Sequence, residues 1–197
     1  MCNLYTQTRS VDEVAQLFRE MQMPLSFPEG IPNLEPRDIR ITEMAPIVRA
    51  PWPGRYELVM RRWSWPGNGG KPVYNFRSDG REFSSGRCLV IADGFYEFTT
   101  PNDPKQKLKD RWLFRWAEDE GMVGIAGLTR DAPGLGEAFT MLTTEPGEDV
   151  APYHGRQVAL VPPTDWRGWL DYSRPASELL KVLPGGSLSV CSAMGDA

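Results

Sequence analysis

The stretch Leu89-Val-Ile-Ala-Asp-Gly-Phe-Tyr-Glu-Phe98 decides how the rest of the chain is read. Four successive apolar residues, Leu89 to Ala92, suit a buried strand, and Asp93-Gly94 marks its end. On the N-terminal side, residues 47–50 and 57–63 are predicted as short strands, and Asn68-Gly-Gly70 as a turn leading into a strand at 73–77. On the C-terminal side, residues 112–116 and 122–128, joined by a polar turn at 118–121, read as a hairpin. Residues 139–143, 158–161 and 187–192 add strands. Ser10 followed by Glu13 is a capping box, opening a helix through about Met21 with Val14, Leu17, Phe18 and Met21 at helical spacing. Residues 23–46 carry five prolines and little periodicity, so an ordered loop is expected there. Short helices are expected at 164–171 and 176–183, the second ended by Pro184-Gly-Gly186. Many short strands with a few peripheral helices imply one α+β domain over residues 1–197, built around a curved, mainly antiparallel sheet.

Composition narrows the function classes. The 197 residues can enclose one real core, and no run of about 18 apolar residues is available to span a membrane. Without a basic-then-apolar leader at the start, secretion is not expected. Three widely spaced cysteines (Cys2, Cys88, Cys191) argue for reduced thiols in a cytoplasmic compartment rather than a disulfide scaffold. A single histidine and no CxxC pair make a protein-held metal unexpected. The net charge of −4 opposes bulk coating of nucleic acid, yet residues 55–87 hold seven basic against three acidic side chains. That excess suits either a local groove for a few phosphates or a solvated arginine-rich surface.

Candidate chemistry begins at the second residue. A cysteine is small enough to permit removal of the initiator methionine, which leaves Cys2 with a free α-amine beside its thiol. An α-amine titrates at about 7.7–8.0, so a useful fraction is nucleophilic near neutrality. An aminothiol reacts distinctively with aldehydes: the amine forms an imine, and the thiol closes it to a five-membered thiazolidine. His154, in Ala151-Pro-Tyr-His-Gly-Arg156, is either a general acid–base group or a hydrogen-bonded loop histidine. Glu97, between Tyr96 and Phe98, is either a desolvated proton shuttle or an outward-facing strand residue. Asn75 and Arg77 share one face of a strand, where an amide and a guanidinium can hold a sugar oxygen and a phosphate. Trp63 and Trp65 offer aromatic surfaces for stacking single-stranded bases, although tryptophan is more often core. Arg62 and Arg81 lie in the same basic stretch.

Together and in this order, these residues resemble the SRAP family, the SOS-response-associated peptidases understood as abasic-site processing proteins. The resemblance runs through Met1-Cys2, Asn33–Pro36, Ala45-Pro46, Arg62-Trp-Ser-Trp-Pro-Gly67, Asn75-Phe-Arg77, Gly86-Arg-Cys-Leu89, Asp93-Gly-Phe-Tyr-Glu97, Tyr153-His-Gly-Arg156 and Val190-Cys-Ser192. It implies a barrel-like α+β sheet with a positively charged groove. By that resemblance Cys2 crosslinks to the abasic deoxyribose, Asn75 positions the ring-opened sugar, and Arg77 binds a phosphate. Glu97 serves methionine removal and proton transfer at the imine, and His154 is its acid–base partner. Arg156, with Arg62, Arg81, Trp63 and Trp65, is expected to contact DNA. The chain departs from the family pattern at several places. Asn3-Leu4 stands where Gly-Arg is usual, Ser64 follows Trp63 in place of glycine, and Phe98 replaces a tryptophan. Asp79 replaces a glutamate, and Gly155-Arg-Gln-Val158 lacks the usual Asp-Arg-Met-Pro.

The resulting expectation is a monomeric cytoplasmic protein, nucleoid-associated when on DNA, that crosslinks through Cys2 to abasic sites in single-stranded DNA. Weak lyase activity is expected beside it, and no cofactor. Two other readings remain open: an N-terminal-nucleophile thiol peptidase using Cys2 and His154 on proteins in trans, and a non-catalytic single-strand binder. Turnover of a peptide in trans marks the first, and equal affinity for intact and abasic strands marks the second.

Overall fold

The computed structural model describes residues 2–118 and 121–193. Its first half runs β1 (Leu4–Gln7), α1 (Val11–Glu20), β2 (Leu25–Ser26), β3 (Arg37–Arg40), β4 (Met44–Trp52), β5 (Arg55–Trp63), β6 (Trp65–Pro66), β7 (Pro72–Val73) and β8 (Asn75–Arg77). The second half runs β9 (Arg87–Ala92), β10 (Gly94–Thr99), β11 (Asp110–Trp116), β12 (Val123–Ala132), β13 (Gly136–Thr144), β14 (Gln157–Val158), α2 (Trp166–Leu170), α3 (Ala176–Leu179) and β15 (Leu188–Ser192).

Two sheets form one α+β domain. Strands β13, β12, β9, β4 and β5 are joined by antiparallel pairings, and a parallel pairing of β13 with β5 (Ala138↔Arg62, Phe139↔Trp63) closes them into a ring. The second sheet has the order β15-β11-β10-β1-β3. Alternation along the ring strands divides the core. Ile47, Val59, Val90, Ile125 and Met141 meet Tyr5, Phe95 and Phe114 of the second sheet. Their neighbours Val48, Leu58, Leu89, Ala126 and Leu142 meet Phe18 of α1 and Trp166 and Trp169 of α2. Both faces of β9 are therefore covered, which is why its sequence is continuously apolar rather than alternating.

Helix α1 begins as expected: the Ser10 hydroxyl accepts from Glu13 N–H while the Glu13 carboxylate accepts from Ser10 N–H. Other expectations are corrected. Residues 23–46 contain β2, β3 and the start of β4 rather than loop alone. Strand β3 reads Arg-Asp-Ile-Arg, with Ile39 alone buried, so hydrophobic periodicity has little to register. The hairpin expected between 112–116 and 122–128 does not form. Strand β11 pairs with β10 and β15, and β12 with β9 and β13, so the chain crosses between sheets there; two residues of its turn, 119–120, lie outside the described ones. The strand expected at 73–77 is split at Tyr74, whose carbonyl accepts the Trp63 indole N–H at 2.9 Å. The last helix stops at Leu179.

Candidate active site

Four residues far apart in sequence meet at the beginning of the chain. Strand β1 is gripped on both sides, by β10 (Tyr5↔Phe95) and β3 (Leu4↔Arg40), which carries Cys2 to the end of β10, where Glu97 stands. Asp93, at the β9–β10 turn, secures the other end of β1 by accepting from Thr8 N–H, Thr8 Oγ1 and Arg9 Nε. Asn75 arrives on β8, held against β13 in parallel register (Met141↔Asn75). Its Nδ2 donates to the Cys2 carbonyl at 2.8 Å, and its Oδ1 is buried without a partner. The Glu97 carboxylate accepts the Cys2 backbone N–H and feels the charge of His154. A cleft of about 350 Å³ is lined by Asn3, Glu97, Phe98, Lys109 and His154.

His154 sits in a tight loop. Its backbone N–H donates to Val150 O at 3.0 Å, and its Nδ1 lies 2.9 Å from both the N–H and the carbonyl of Arg156. Neighbouring Tyr153 packs its ring on Trp112 and Phe114, at centroid separations of 4.9 and 5.3 Å. With Nδ1 engaged by the backbone, Nε2 is the nitrogen left to exchange protons with a bound substrate.

Electrostatics assign different roles to thiol and carboxyl. Cys2 is 1% exposed. Burial, reinforced by the Glu97 charge, pushes its thiol up to about 12. The thiol donates to Leu4 O at 3.2 Å. A resting thiolate is therefore scarce at neutral pH. Burial also lifts the Glu97 carboxyl, with the His154 charge and the Cys2 N–H holding it back. Such an acid can both take and return a proton near neutrality. Among the described residues, no group of three His, Cys, Asp or Glu side chains is placed to hold a metal ion.

The expected DNA contacts fare unevenly. Trp63 is 0% exposed and lies in the core against Tyr5 and Phe139, so it offers no face to a base. Trp65 is buried too, with the Arg130 guanidinium over its ring at 4.5 Å. Arg156 is 7% exposed. Its guanidinium pairs with Asp79 at 2.6 Å and Glu145 at 2.7 Å and donates to Thr143 O, so it pins the His154 loop to β13 instead of facing solvent. Arg62 is half-buried and donates to Thr42 O. Arg77 is exposed, and Arg81 is exposed with its guanidinium 5.1 Å from the Phe76 ring centroid. Elsewhere in the basic stretch, Arg55 and Arg61 are paired with glutamates, and Arg87 is buried against Trp169. The cations that reach the cleft come from other segments: Lys109 directly, with Arg40 and Arg111 just beyond Phe98. No motif flags these three, since only the pairing of β1 with β3 and of β10 with β11 assembles them.

The arrangement has relatives. Solved structures with the same fold include a phage-related protein from Bordetella bronchiseptica, with a TM-score of 0.72 at 20% identity over 98% of this chain and 94% of that one. A protein from Bacteroides thetaiotaomicron gives a TM-score of 0.71 at 15% identity, over 99% and 93% of the two chains. No protein of curated function matches. The family model for SOS response associated peptidase (SRAP) matches residues 1–192, which takes in every residue of the cleft. The chain belongs to the SRAP family.

Proposed function

We propose that this protein captures the aldehyde of abasic sites in single-stranded DNA on Cys2, after loss of Met1. The observation that carries this reading is the convergence of Asn75, Glu97 and His154 on the backbone of residue 2, rather than on a chain-internal nucleophile. A site organised around the second residue suits chemistry that uses both its α-amine and its side chain. Removal of Met1 turns the Cys2 amide nitrogen into that amine, with Glu97 already hydrogen-bonded to it.

The steps balance without an added cofactor. The neutral Cys2 amine adds to the C1′ carbonyl of the ring-opened sugar, and His154 and Glu97 relay protons as one water leaves and the imine forms. The Asn75 amide keeps Cys2 aligned through its carbonyl, and Oδ1 supplies an acceptor for a sugar hydroxyl. The thiol then adds across the C=N bond, its sulfur to carbon and its proton, passed through Glu97, to nitrogen. The high thiol pKa supports this order, because the amine is nucleophilic under conditions where the thiol is not. It also weighs against a thiol peptidase acting in trans, which needs a ready thiolate. Loss of the 3′ phosphate from the imine by β-elimination is the competing branch and gives weak lyase activity.

The test is a denaturing gel of protein mixed with an oligonucleotide carrying one abasic site. A heat-stable shifted band is expected from the wild type and none from Cys2→Ala, with binding to intact strands retained in the variant. Absence of the band from protein shown by mass to lack Met1 rules the reading out.

A further inference from the structure

The cleft beside Cys2 does not end at Phe98. A second cleft of about 330 Å³ shares Asn3 and Phe98 with it and is lined further by Leu4, Arg40, Ile41 and Arg111. Three cations from three strand ends or edges thus border one continuous path: Lys109 just before β11, Arg111 within it, and Arg40 at the end of β3. Arg40 and Lys109 are exposed, and neither side chain has an ion-pair partner among the described residues. Arg111 donates to Ala193 O and stacks over Tyr96, with Asp38 at 3.9 Å as the one acidic neighbour. This contrasts with residues 55–87, whose arginines are largely spent on internal carboxylates and carbonyls.

We propose that this Asn3–Phe98 cleft binds the strand flanking the reacting nucleotide, with Arg40 and Lys109 on successive phosphates and the Phe98 ring under a base. It rests on the abasic-site reading for its orientation to Cys2, but its chemistry requires only single-stranded DNA. Exposed cations on either side of a half-buried aromatic ring form the combination that tracks a single strand without reading its sequence. Anchoring the flank here draws the abasic sugar toward Cys2, because Asn3 joins the two clefts and follows Cys2 in the chain.

Fluorescence anisotropy with a labelled intact single strand tests the cleft independently of any crosslink. Arg40→Gln with Lys109→Gln should weaken binding several-fold and flatten the salt dependence by about 1.4 in slope, at roughly 0.7 for each phosphate of a single strand that is no longer neutralised. Phe98→Ala should weaken it by about tenfold with the slope unchanged. Lys181→Gln, an exposed charge change near α3, should alter neither. Equal effects from Lys181→Gln and the double variant, or no effect from the double variant, overturn the proposal. Endpoint crosslinking of the wild type to an abasic strand at saturating DNA is scored separately: its failure removes the covalent reading and leaves the anisotropy comparison to decide the cleft.

Discussion

Glu97 and Asn75 show how far single side chains control this site. Burial raises the Glu97 carboxyl in the folded chain, so folding favours its protonated form. That stabilising contribution is fully present below the unfolded value of about 4.3 and is lost as pH rises through the higher folded value. Glu97→Gln imitates the protonated acid at every pH. Thermal melts of the two proteins should therefore coincide near pH 4 and separate above it, the variant being the more stable at pH 7 while crosslinking far more slowly. A variant less stable than wild type at pH 7 contradicts the assignment of Glu97 as a strained proton carrier. Asn75→Ala removes the 2.8 Å bond to Cys2 O. Its stability cost should be about 0.5–1.5 kcal/mol, but misplacing the amine should slow adduct formation by up to about a hundredfold, read from single-turnover gels. Cys2, Asn75, Glu97 and His154 are legible in the sequence because each is a reactive or polar residue in a distinctive local string. Trp63, Trp65 and Arg156 are not, because an indole or a guanidinium looks the same in sequence whether it faces a base or is satisfied by the Tyr74 carbonyl or by Asp79 and Glu145.

Strands and loops hold these side chains in place, and two of them are open to test. Gly94 opens β10 three residues before Glu97, and a Cβ there would lie 2.6 Å from Phe114 O on β11. Gly94→Ala should cost about 1–3 kcal/mol by forcing the two strands apart, measured by chemical denaturation, with crosslinking impaired beyond the loss of folded protein. The loop carrying His154 depends on the Arg156 fork spanning Asp79, Glu145 and Thr143. Arg156→Lys keeps the charge but not the fork, so it should lose about 1.5–3 kcal/mol and fail to restore the crosslinking rate. Full recovery by lysine would show that only charge matters there. Strand β9 is readable because burial on both faces leaves an unbroken apolar run. Strand β3 and the crossing between β11 and β12 are not, because their partners lie in distant parts of the chain and sequence shows only local pairing.

The whole molecule makes the beginning of the chain a fixed structural position. Cys2 precedes a strand lying between β3 and β10, and its neighbours come from β8, β10 and the 153–156 loop. An α+β domain with a barrel-like sheet is readable from the count of short strands and from the family resemblance, whereas the closing β13–β5 pairing is not. A protein carrying an uncleaved N-terminal extension should keep its cooperative melt and give no crosslink, since its Cys2 nitrogen remains an amide. The mass of the covalent product, taken intact and after digestion, tests the chemistry at its source. The expected product weighs the protein without Met1 plus the oligonucleotide minus one water, with the remnant on the Cys2 peptide and neither its amine nor its thiol open to labelling. An adduct that still contains Met1, sits on a lysine, or leaves the Cys2 thiol free to alkylation would show that the ring does not close on Cys2.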